Sequence, residues 1–315
     1  MKLLSGIFLA LIGSCVLISR FGHAGWTEFI TSYIPVYAIL SLAILIIAGL
    51  NRHWLHCAGA AIIAAMALLP IMHEWSASRT SGQPAPSNPA QTITLVTHNL
   101  AKANADVEAT LDILLNSDAD ILLLQESHGK AAALLPALNE RYPWHSKCPG
   151  TCEYAIYSRL PLSPVQWKFR DKAKGERIGP ALMWAYVMPE KGPKFPIISF
   201  HMTWPGEEQD RQRQELAAVL QPLSRENPIL AGDFNLTPWG SGMRYLESDI
   251  APMRRLTHMK FSFPARVKGR AWPIPLLPID HIFAGPGWQL VSIERLPRTG
   301  SDHYPIKAVL RLSGE

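Results

Sequence analysis

Charged side chains are scarce in the first 80 residues of this 315-residue chain. That part contains six of them, namely Lys2, Arg20, Glu28, Arg52, Glu74 and Arg79. Charged residues usually make up about a quarter to a third of the surface of a water-soluble domain. The scarcity therefore argues against a soluble N-terminal domain, although buried core helices of such a domain are the alternative.

Three long apolar runs account for this composition: Leu3–Ser19, Tyr33–Leu50 and Trp54–Met72. A helix that crosses a bilayer needs about 20 apolar residues, with a lower limit near 17. Trp26, Trp54 and Trp75 stand at the run ends, where indole rings favour the lipid headgroups. We therefore predict that residues 1–75 form a membrane anchor of three transmembrane helices.

The basic residues give almost no orientation, because three spans would place Lys2 and Arg52 on one side and Arg20 and Arg79 on the other. A lipoprotein-like cleavage box at Ile12-Gly13-Ser14-Cys15 is a second alternative for the first run. The apolar run continues beyond Cys15, which favours a retained helix.

Cysteine is also scarce, with four residues in the whole chain. Cys15 and Cys57 lie in apolar runs, whereas Cys148 and Cys152 bracket a polar Pro-Gly turn. A disulfide between Cys148 and Cys152 would require an oxidising compartment, which favours a periplasmic position for the residues beyond 80. A zinc site that includes His145 and a pair of free thiols remain as alternatives.

A strong charge excess is absent from the rest of the chain, which has 26 basic and 23 acidic residues beyond residue 80. This balance argues against a dedicated binder of duplex nucleic acid. Residues 76–91 are rich in Ser, Pro, Ala and Gly and are predicted to be a linker. Residues 92–315 are long enough for one domain with a sizeable core.

Hydrophobic patterning in this domain predicts many strands and few helices, which favours two sheets packed together beneath helices. The predicted strands are Thr92–Val96, Ile121–Leu124, Tyr154–Tyr157, Ala181–Val187, Pro196–Phe200, Ile229–Ala231, Ile282–Ala284, Leu290–Ile293 and Ile306–Leu310. The predicted helices are Asp106–Asn116, Ala131–Asn139, Gln209–Leu223 and a short one at Arg244–Leu246.

The stretch Gly232-Asp233-Phe234-Asn235 follows the predicted central strand. In extended geometry Asp233 and Asn235 would share one face, because alternate side chains point the same way. A carboxylate beside a carboxamide suits phosphoester chemistry, since one can move a proton and the other can hold an oxygen. An ordinary turn is the alternative interpretation.

Polar residues also end or adjoin five other predicted strands or strand-like runs. They are Asn99, Gln125-Glu126, His201, Asp280-His281 after the run Pro275–Ile279, and Ser301-Asp302-His303. Each could instead be a turn residue, a helix cap, an ion-pair partner or a buried histidine. Functional groups that collect at strand ends are how α/β scaffolds build sites, so their recurrence predicts a single site.

These motifs, in this order, resemble those of the endonuclease/exonuclease/phosphatase superfamily, the DNase I-like group that includes nucleases, sphingomyelinases and inositol polyphosphate phosphatases. The resemblance covers residues 92–312 and rests mainly on Gly232–Asn235 and Ser301–Pro305. It implies a four-layer α/β/β/α sandwich of two mixed sheets, here preceded by the anchor. Similar membrane-bound bacterial members imply a location in the bacterial inner membrane.

The resemblance also implies metal-dependent phosphoester hydrolysis with one or two Mg²⁺ or Mn²⁺ ions. Hard cations prefer oxygen ligands, and the implied ligands are Glu126, Asn99 and Asp302. Asp233 would polarise the water or protonate the leaving group, and Asn235 would hold a phosphate oxygen. His303 would act as an acid, a base or a phosphate contact, and Asp280 would orient it. His201 would be a further histidine of the site, oriented by the acid Glu153.

The substrate is left open between nucleic acid and a phospholipid-type phosphoester, and no protein partner is inferred. Trp204 and Trp239 could rim the cleft or simply pack. The basic, proline-rich loop Pro264–Pro278 could touch a membrane surface or a phosphate-rich ligand. A catalytically silent, membrane-tethered binding module of the same fold is the alternative function.

Overall fold

The computed structural model describes residues 2–22, 25–80, 89–146, 153–169 and 180–313. The predicted pair of Cys148 and Cys152 lies outside these residues, as does the middle of the predicted linker, residues 81–88. Both therefore remain predictions.

The described residues before 81 form four helices, the second of which has five residues. They are α1 (Lys2–Phe21), α2 (Thr27–Thr31), α3 (Ile34–Leu50) and α4 (Trp54–Thr80). Residues 76–80, which the sequence assigns to the linker, are thus the end of α4.

Two of these helices, not three, are long and apolar enough to cross a membrane. The candidate spans are Leu3–Phe21 and Trp54–Arg79. The prediction of three spans is wrong by this measure, because the middle run forms a helix of only 17 residues, which is shorter than the about 20 residues that a span ordinarily needs. Pro35 lies in the first turn of α3, and Asn51 and Arg52 end it with non-helical backbone angles.

The surface of these helices is unusually apolar. Leu3, Phe21, Leu50 and Leu55 are each at least 77% exposed. An exposed apolar area of this extent marks contact with lipid or with another apolar partner. The composition of residues 2–80 and their exposure therefore indicate membrane association.

The rest of the described chain contains two six-stranded mixed sheets. Sheet A consists of β1 (Pro89–Asn99), β2 (Ile121–Gln125), β3 (Trp144–His145), β4 (Tyr154–Ser158), β13 (Trp288–Arg295) and β14 (Ile306–Ser313). Sheet B consists of β5 (Gln166–Phe169), β6 (Pro180–Val187), β7 (Phe195–His201), β8 (Ile229–Asp233), β9 (Arg254–Arg255) and β12 (Asp280–Ala284). The strand order is β13-β14-β1-β2-β4-β3 in sheet A and β5-β6-β7-β8-β12-β9 in sheet B.

Helices cover the outer face of each sheet. They are α5 (Val107–Leu115) and α6 (Leu135–Arg141) on sheet A, and α7 (Glu207–Leu223) and α8 (Ser241–Asp249) on sheet B. A short 3-10 helix, Gly129–Leu134, precedes α6, and a small hairpin of β10 (Arg266–Val267) and β11 (Arg270–Ala271) stands apart from both sheets. The predicted four-layer sandwich is confirmed.

Alternation along the strands explains the layers. In β2, Ile121 and Leu123 face the core between the sheets, while Leu122 and Leu124 face the core beneath α5 and α6. A strand with both faces buried must be apolar throughout, which accounts for its uninterrupted apolar sequence. The same holds for β8, whose Ile229 and Ala231 face the other sheet and whose Leu230 faces the α7 side.

The N-terminal helices α1 to α4, called the anchor from here on after their predicted role, pack directly on the domain through their two acidic residues. Glu28 accepts hydrogen bonds from the Ser241 hydroxyl (2.5 Å) and the Gly242 amide (2.7 Å) at the start of α8. Glu74 forms an ion pair with Arg255 (2.6 Å) in which both side chains are 3% exposed. A carboxylate is favourable at a helix N-terminus, and a buried charge requires a partner. The two acids therefore fix the anchor against sheet B and its helix.

Candidate active site

The topology brings the predicted polar residues to one edge of both sheets. β1 runs parallel to β2 with Asn99 opposite Gln125, and β7 runs parallel to β8 with His201 opposite Asp233. β12 runs antiparallel to β8, so its first residue, Asp280, pairs with Asp233. The ends of parallel strands and the starts of their antiparallel neighbours share an edge, which is why residues distant in sequence meet here.

Asp233 is at the centre of this group. Its Oδ2 lies 3.0 Å from Asn99 Nδ2, 3.5 Å from His201 Nε2 and 3.6 Å from His303 Nε2. The side chain is 2% exposed. Burial raises the pKa of Asp233, and the positive charge of His303 offsets this only in part, while the negative charge of Asp280 raises it further. A carboxylate with a raised pKa is a better proton acceptor than a solvent-exposed one.

Gly232 allows the strand before Asp233 to approach its neighbour closely. It has a φ of 155°, and a Cβ at this position would collide with the backbone carbonyl oxygen of Phe200 in β7. Only glycine fits here without moving the backbone.

Asn235 does not share a strand face with Asp233, because β8 ends at Asp233. Its φ is 49°, so the extended geometry expected from the sequence is absent. Its backbone N–H donates to Asp233 Oδ1 (2.9 Å), and its side-chain amide donates to the carbonyl of Met202 (2.8 Å). One hydrogen bond from the amide leaves its second N–H group available to a ligand.

Glu126 lies beside Asp233 and is linked to it by Asn99. The Asn99 Nδ2 atom lies 3.4 Å from Glu126 Oε1, and the Lys102 backbone N–H donates to Glu126 Oε2 (3.0 Å). Burial, the largest effect, raises the pKa of Glu126, but the Lys102 N–H group and the nearby histidines outweigh it and lower the pKa. Glu126 is thus held as a partly buried anion.

Asp280 and His303 form a buried ion pair, in which His303 Nδ1 donates to Asp280 Oδ2 at 2.8 Å. Burial alone would lower the pKa of His303, but the negative charges of Asp280 and Asp233 raise it to about 10. Burial would likewise raise the pKa of Asp280, and the charge of His303 and its hydrogen bond lower it instead. His303 is therefore a cation with one N–H on Asp280 and the other toward Asp233.

His201 and its surroundings are less tightly defined. Its ring stacks edge-on against Tyr154, with ring centres 6.3 Å apart, and Tyr154 donates to the His201 carbonyl (3.3 Å). Its Nδ1 is buried without a hydrogen-bond partner among the described residues. Glu153 directly precedes Tyr154 and accepts the Ser127 N–H through its own carbonyl (3.2 Å). Its predicted role in orienting His201 stays a prediction.

Asp302 adjoins His303, and its negative charge adds to the effects that raise the pKa of His303. Its carbonyl accepts the Ala265 N–H (2.6 Å), which connects it to the start of the proline-rich loop. The side chain is partly exposed. Its predicted role as a metal ligand also stays a prediction.

The donor set fits a hard divalent cation. Glu126, Asp233, Asp280 and Asp302 provide carboxylate oxygens, and Asp280 Oδ1 is buried without a hydrogen-bond partner among the described residues. Asp233, Asp280 and His303 also have potential ligand atoms within 4.8 Å of one another. A protonated histidine cannot coordinate a metal, because both ring nitrogens carry hydrogen. The oxygen-rich side around Glu126 therefore suits Mg²⁺ or Mn²⁺ better than this trio does.

Asn99 presents its nitrogen, not its oxygen, to Glu126 and Asp233, and its Oδ1 accepts the Ala101 N–H (2.9 Å). In this arrangement Asn99 holds the two carboxylates together. For Asn99 to bind a metal, as the sequence implies, its oxygen would have to face Glu126 and Asp233 in place of its nitrogen.

Several further residues support the site, and two of them, Ser262 and Phe263, are absent from the sequence prediction. The Ser262 hydroxyl accepts the Asp280 N–H (3.3 Å), and the Phe263 ring lies 4.9 Å from the His303 ring. Ser301 donates to the Asn99 carbonyl (2.6 Å) and accepts the His303 N–H (3.0 Å). The stretch around Ser262 contains no chemical pattern that could have identified it.

The two tryptophans proposed as rim residues differ in position. Trp239 is 2% exposed, and its indole N–H donates to the Ser32 carbonyl of the anchor (3.3 Å), so it packs and does not line the cleft. Trp204 is 57% exposed and lies between Phe263 and Phe29 of α2, with ring centres 6.3 Å from each. An aromatic wall thus extends from His303 to the anchor.

Residues 96–303 match the sequence model of the Endonuclease/Exonuclease/phosphatase family. No curated protein sequence matches the chain.

Among solved structures, an endonuclease/exonuclease/phosphatase from Beutenbergia cavernae DSM 12333 is 19% identical with a TM-score of 0.56, covering 71% of this chain and 72% of that one. A family protein from Bacteroides thetaiotaomicron is 17% identical with a TM-score of 0.53, covering 72% and 100%. D. rerio TDP2 complexed with single strand DNA product is 16% identical with a TM-score of 0.53, covering 70% and 99%. At identities this low, the structural similarity establishes a shared fold and nothing further.

Proposed function

The chain belongs to the Endonuclease/Exonuclease/phosphatase family, and we propose that it is a membrane-anchored phosphoester hydrolase that depends on Mg²⁺ or Mn²⁺. The observation that carries the proposal is the convergence of Asn99, His201 and His303 on one buried oxygen of Asp233. Burying a carboxylate beside a second one, Asp280, is costly for folding, and such arrangements are typical of catalytic sites.

The proposed roles follow from the contacts. Asp233, with its raised pKa, takes a proton from the attacking water or passes one to the leaving oxygen. His303, kept cationic by Asp280, holds a phosphate oxygen or supplies the proton through Nε2. The free N–H of Asn235 binds a second phosphate oxygen, and His201 contacts the same group from the other side of Asp233.

The cation would be held by Glu126 and Asp302, together with Asn99 if its amide turns. When bound, it would neutralise phosphate charge and lower the pKa of a coordinated water. Glu126 is suited to this position because its pKa is lowered, so that it remains an anion.

We further propose that α1 and α4 cross a bacterial inner membrane and that the catalytic domain lies on the periplasmic side. The two apolar helices support the anchoring. The proposed periplasmic location depends on Cys148 and Cys152, because a disulfide between them would need an oxidising compartment. Both nucleic acid and phospholipid-type phosphoesters remain candidate substrates, and TDP2 bound to its DNA product supports the former.

The test is hydrolysis by the full chain in nanodiscs. Bis-p-nitrophenyl phosphate, plasmid DNA and phospholipid would each be assayed with Mg²⁺, with Mn²⁺ and with EDTA. We expect metal-dependent hydrolysis of at least one of them, and a loss of about 10²- to 10⁴-fold in Asp233→Asn. The exposed Asp118→Asn is the matched control and should retain full activity.

A catalytically silent binding module would give another result: metal binding by calorimetry with no hydrolysis of any of the three substrates. Hydrolysis that survives in Asp233→Asn would exclude the proposed active site.

A further inference from the structure

A large apolar groove lies between the membrane anchor and the proline-rich loop. It encloses about 520 Å³ and is lined on one side by Tyr33, Val36 and Ile39 of the anchor and on the other by Ile274, Leu276 and Leu277. This volume falls within the roughly 300–1,000 Å³ range of sites for small molecules. Neither the hydrolytic chemistry nor the packing of the anchor requires such a groove.

The anchor side of the groove belongs to a surface suited to lipid. Val36 and Ile39 lie on α3 and are 40% and 67% exposed. α3 packs against both α1 and α4, the two helices long enough to cross a membrane. When α1 and α4 cross a bilayer, as proposed above, the exposed apolar side chains of α3 lie beside acyl chains. An alkyl chain can then enter the groove from the bilayer without crossing water.

The loop side of the groove is also apolar at its surface. Ile274 and Leu276 of the groove wall are 65% and 44% exposed, and Trp272, which precedes the wall residues in the same loop, is 39% exposed. Arg295 lines the groove as well, with its Nη1 donating to the Phe261 carbonyl (2.7 Å). Apolar side chains with a nearby cation match the edge of a bilayer, where acyl chains meet anionic headgroups.

A second, narrower cavity lies between the groove and the catalytic group. The two cavities share Ser32, Tyr33 and Leu277 in their walls. The narrower one reaches Asn235 and Ile279, the residue before Asp280, and Trp204 of the aromatic wall also lines it. The groove beside α3 is therefore adjacent to a cavity that reaches Asn235, one of the residues proposed to hold phosphate.

We propose that this groove binds the alkyl chain of a lipid phosphoester while its phosphate lies at Asn235 and His303. The inference rests on the proposed hydrolase function and specifies its substrate class. The anchor is then part of the substrate site, because α3 forms one wall of the groove. A single-stranded nucleic acid has no alkyl chain to place there.

The test uses alkyl p-nitrophenyl phosphodiesters with methyl, butyl and octyl chains, below their micellar concentrations, and the full chain in nanodiscs with Mg²⁺. The leaving group is constant, so only the chain varies. Each methylene group moved from water into the groove can improve kcat/KM by up to about four-fold. Burial of three methylene groups would therefore improve kcat/KM by about 60-fold. We expect kcat/KM to rise along the series.

Val36→Trp should fill the groove and remove the advantage of the octyl chain. Leu40→Trp, on the same helix and 45% exposed but not in the groove wall, is the matched control and should keep that advantage. Ile274→Ser is a second variant on the loop side, where 65% exposure makes a folding defect small, and it should flatten the series.

The outcomes separate the two proposals. If neither the esters nor a single-stranded oligonucleotide is hydrolysed, and Mn²⁺ in place of Mg²⁺ does not change this, the hydrolase function fails. If the methyl ester is hydrolysed and chain length has no effect, or if Val36→Trp and Ile274→Ser both keep the octyl advantage, the alkyl groove is refuted while the hydrolase stands. A single-stranded oligonucleotide that is cleaved better than the octyl ester, and equally well by Val36→Trp, would also overturn the lipid substrate.

Discussion

Replacing Asp280 with Asn is expected to remove most hydrolytic activity while keeping the shape of the side chain. Asp280 is fully buried, and its Oδ2 lies 2.8 Å from His303 Nδ1. The substitution removes the negative charge that contributes most to raising the pKa of His303. His303 should then lose its proton at neutral pH, because burial favours the neutral ring.

The size of the effect can be worked from the pKa of His303. The rise in the pKa of His303 from its ordinary value near 6.5 to about 10 corresponds to ~5 kcal/mol of net interaction with the protonated ring, in which the charge of Asp280 is the largest favourable part and those of Asp233 and Asp302 also contribute. Measured losses on breaking a buried ion pair are ~3–5 kcal/mol. We therefore expect Asp280→Asn to lower the free energy of unfolding by ~3–5 kcal/mol near pH 6 and to reduce kcat by about 10²- to 10⁴-fold.

The stability difference should depend on pH in a defined direction. His303 has a raised pKa in the folded state, so its contribution is fully present below about pH 6.5 and is lost as the pH rises toward about 10. Asp280 has a lowered pKa, so its contribution is present above about pH 4 and is lost in more acidic solution. The difference between wild type and variant should therefore be largest between about pH 4 and 6.5.

The assay is denaturant unfolding of the full chain in nanodiscs at several pH values, beside kcat for bis-p-nitrophenyl phosphate. Asp118→Asn is the control, since its side chain is 85% exposed and lies 3.9 Å from Arg159. Exposed pairs of this kind contribute only about 0–1 kcal/mol. The reasoning is refuted if Asp280→Asn has a kcat within about three-fold of wild type, or if its stability loss does not shrink above pH 7.

Two further substitutions test other parts of the structure. Glu126→Gln should raise the Mg²⁺ concentration needed for half-maximal activity by about 10- to 100-fold, measured by metal titration of the rate; an unchanged titration curve would argue against Glu126 as a ligand. Glu74→Gln should lower the free energy of unfolding by ~3–5 kcal/mol in thermal or denaturant unfolding, because Arg255 stays buried with Glu247 as its remaining partner in the pair. The double variant Glu74→Gln with Arg255→Met should lose less stability, because no buried charge is left. A single variant as stable as wild type would show that the anchor does not depend on this ion pair.

Much of the domain could be predicted because its signals are local. Uninterrupted apolar runs such as Ile121–Leu124 and Ile229–Ala231 form strands with both faces buried, as their composition requires. The helix predicted at Gln209–Leu223 differs from α7 by two residues at its start. The polar residues at strand ends were the strongest signal, and the structure places Asn99, Glu126, His201, Asp233, Asp280 and His303 together.

Other elements escaped prediction because their cause is not local. Short edge strands such as Gln166–Phe169 are defined by their partner strand, which periodicity does not reveal. The run Pro275–Ile279 resembles a strand by composition, yet β12 begins at Asp280, where pairing with Asp233 starts. The number of spans was overestimated because length and hydropathy alone do not show where α3 begins and ends.

The composition of the anchor, the two-sheet domain and the chemical groups of the site follow from side-chain type and spacing along the chain. Three other features become visible in the folded protein alone: the cationic state of His303, the packing of Trp239 on the anchor, and the attachment of the anchor to the domain by Glu28 and Glu74. Each of these depends on burial and on charges that lie close in space but far apart in the chain. Burial and the distance between charges are set by folding, and no local pattern encodes them.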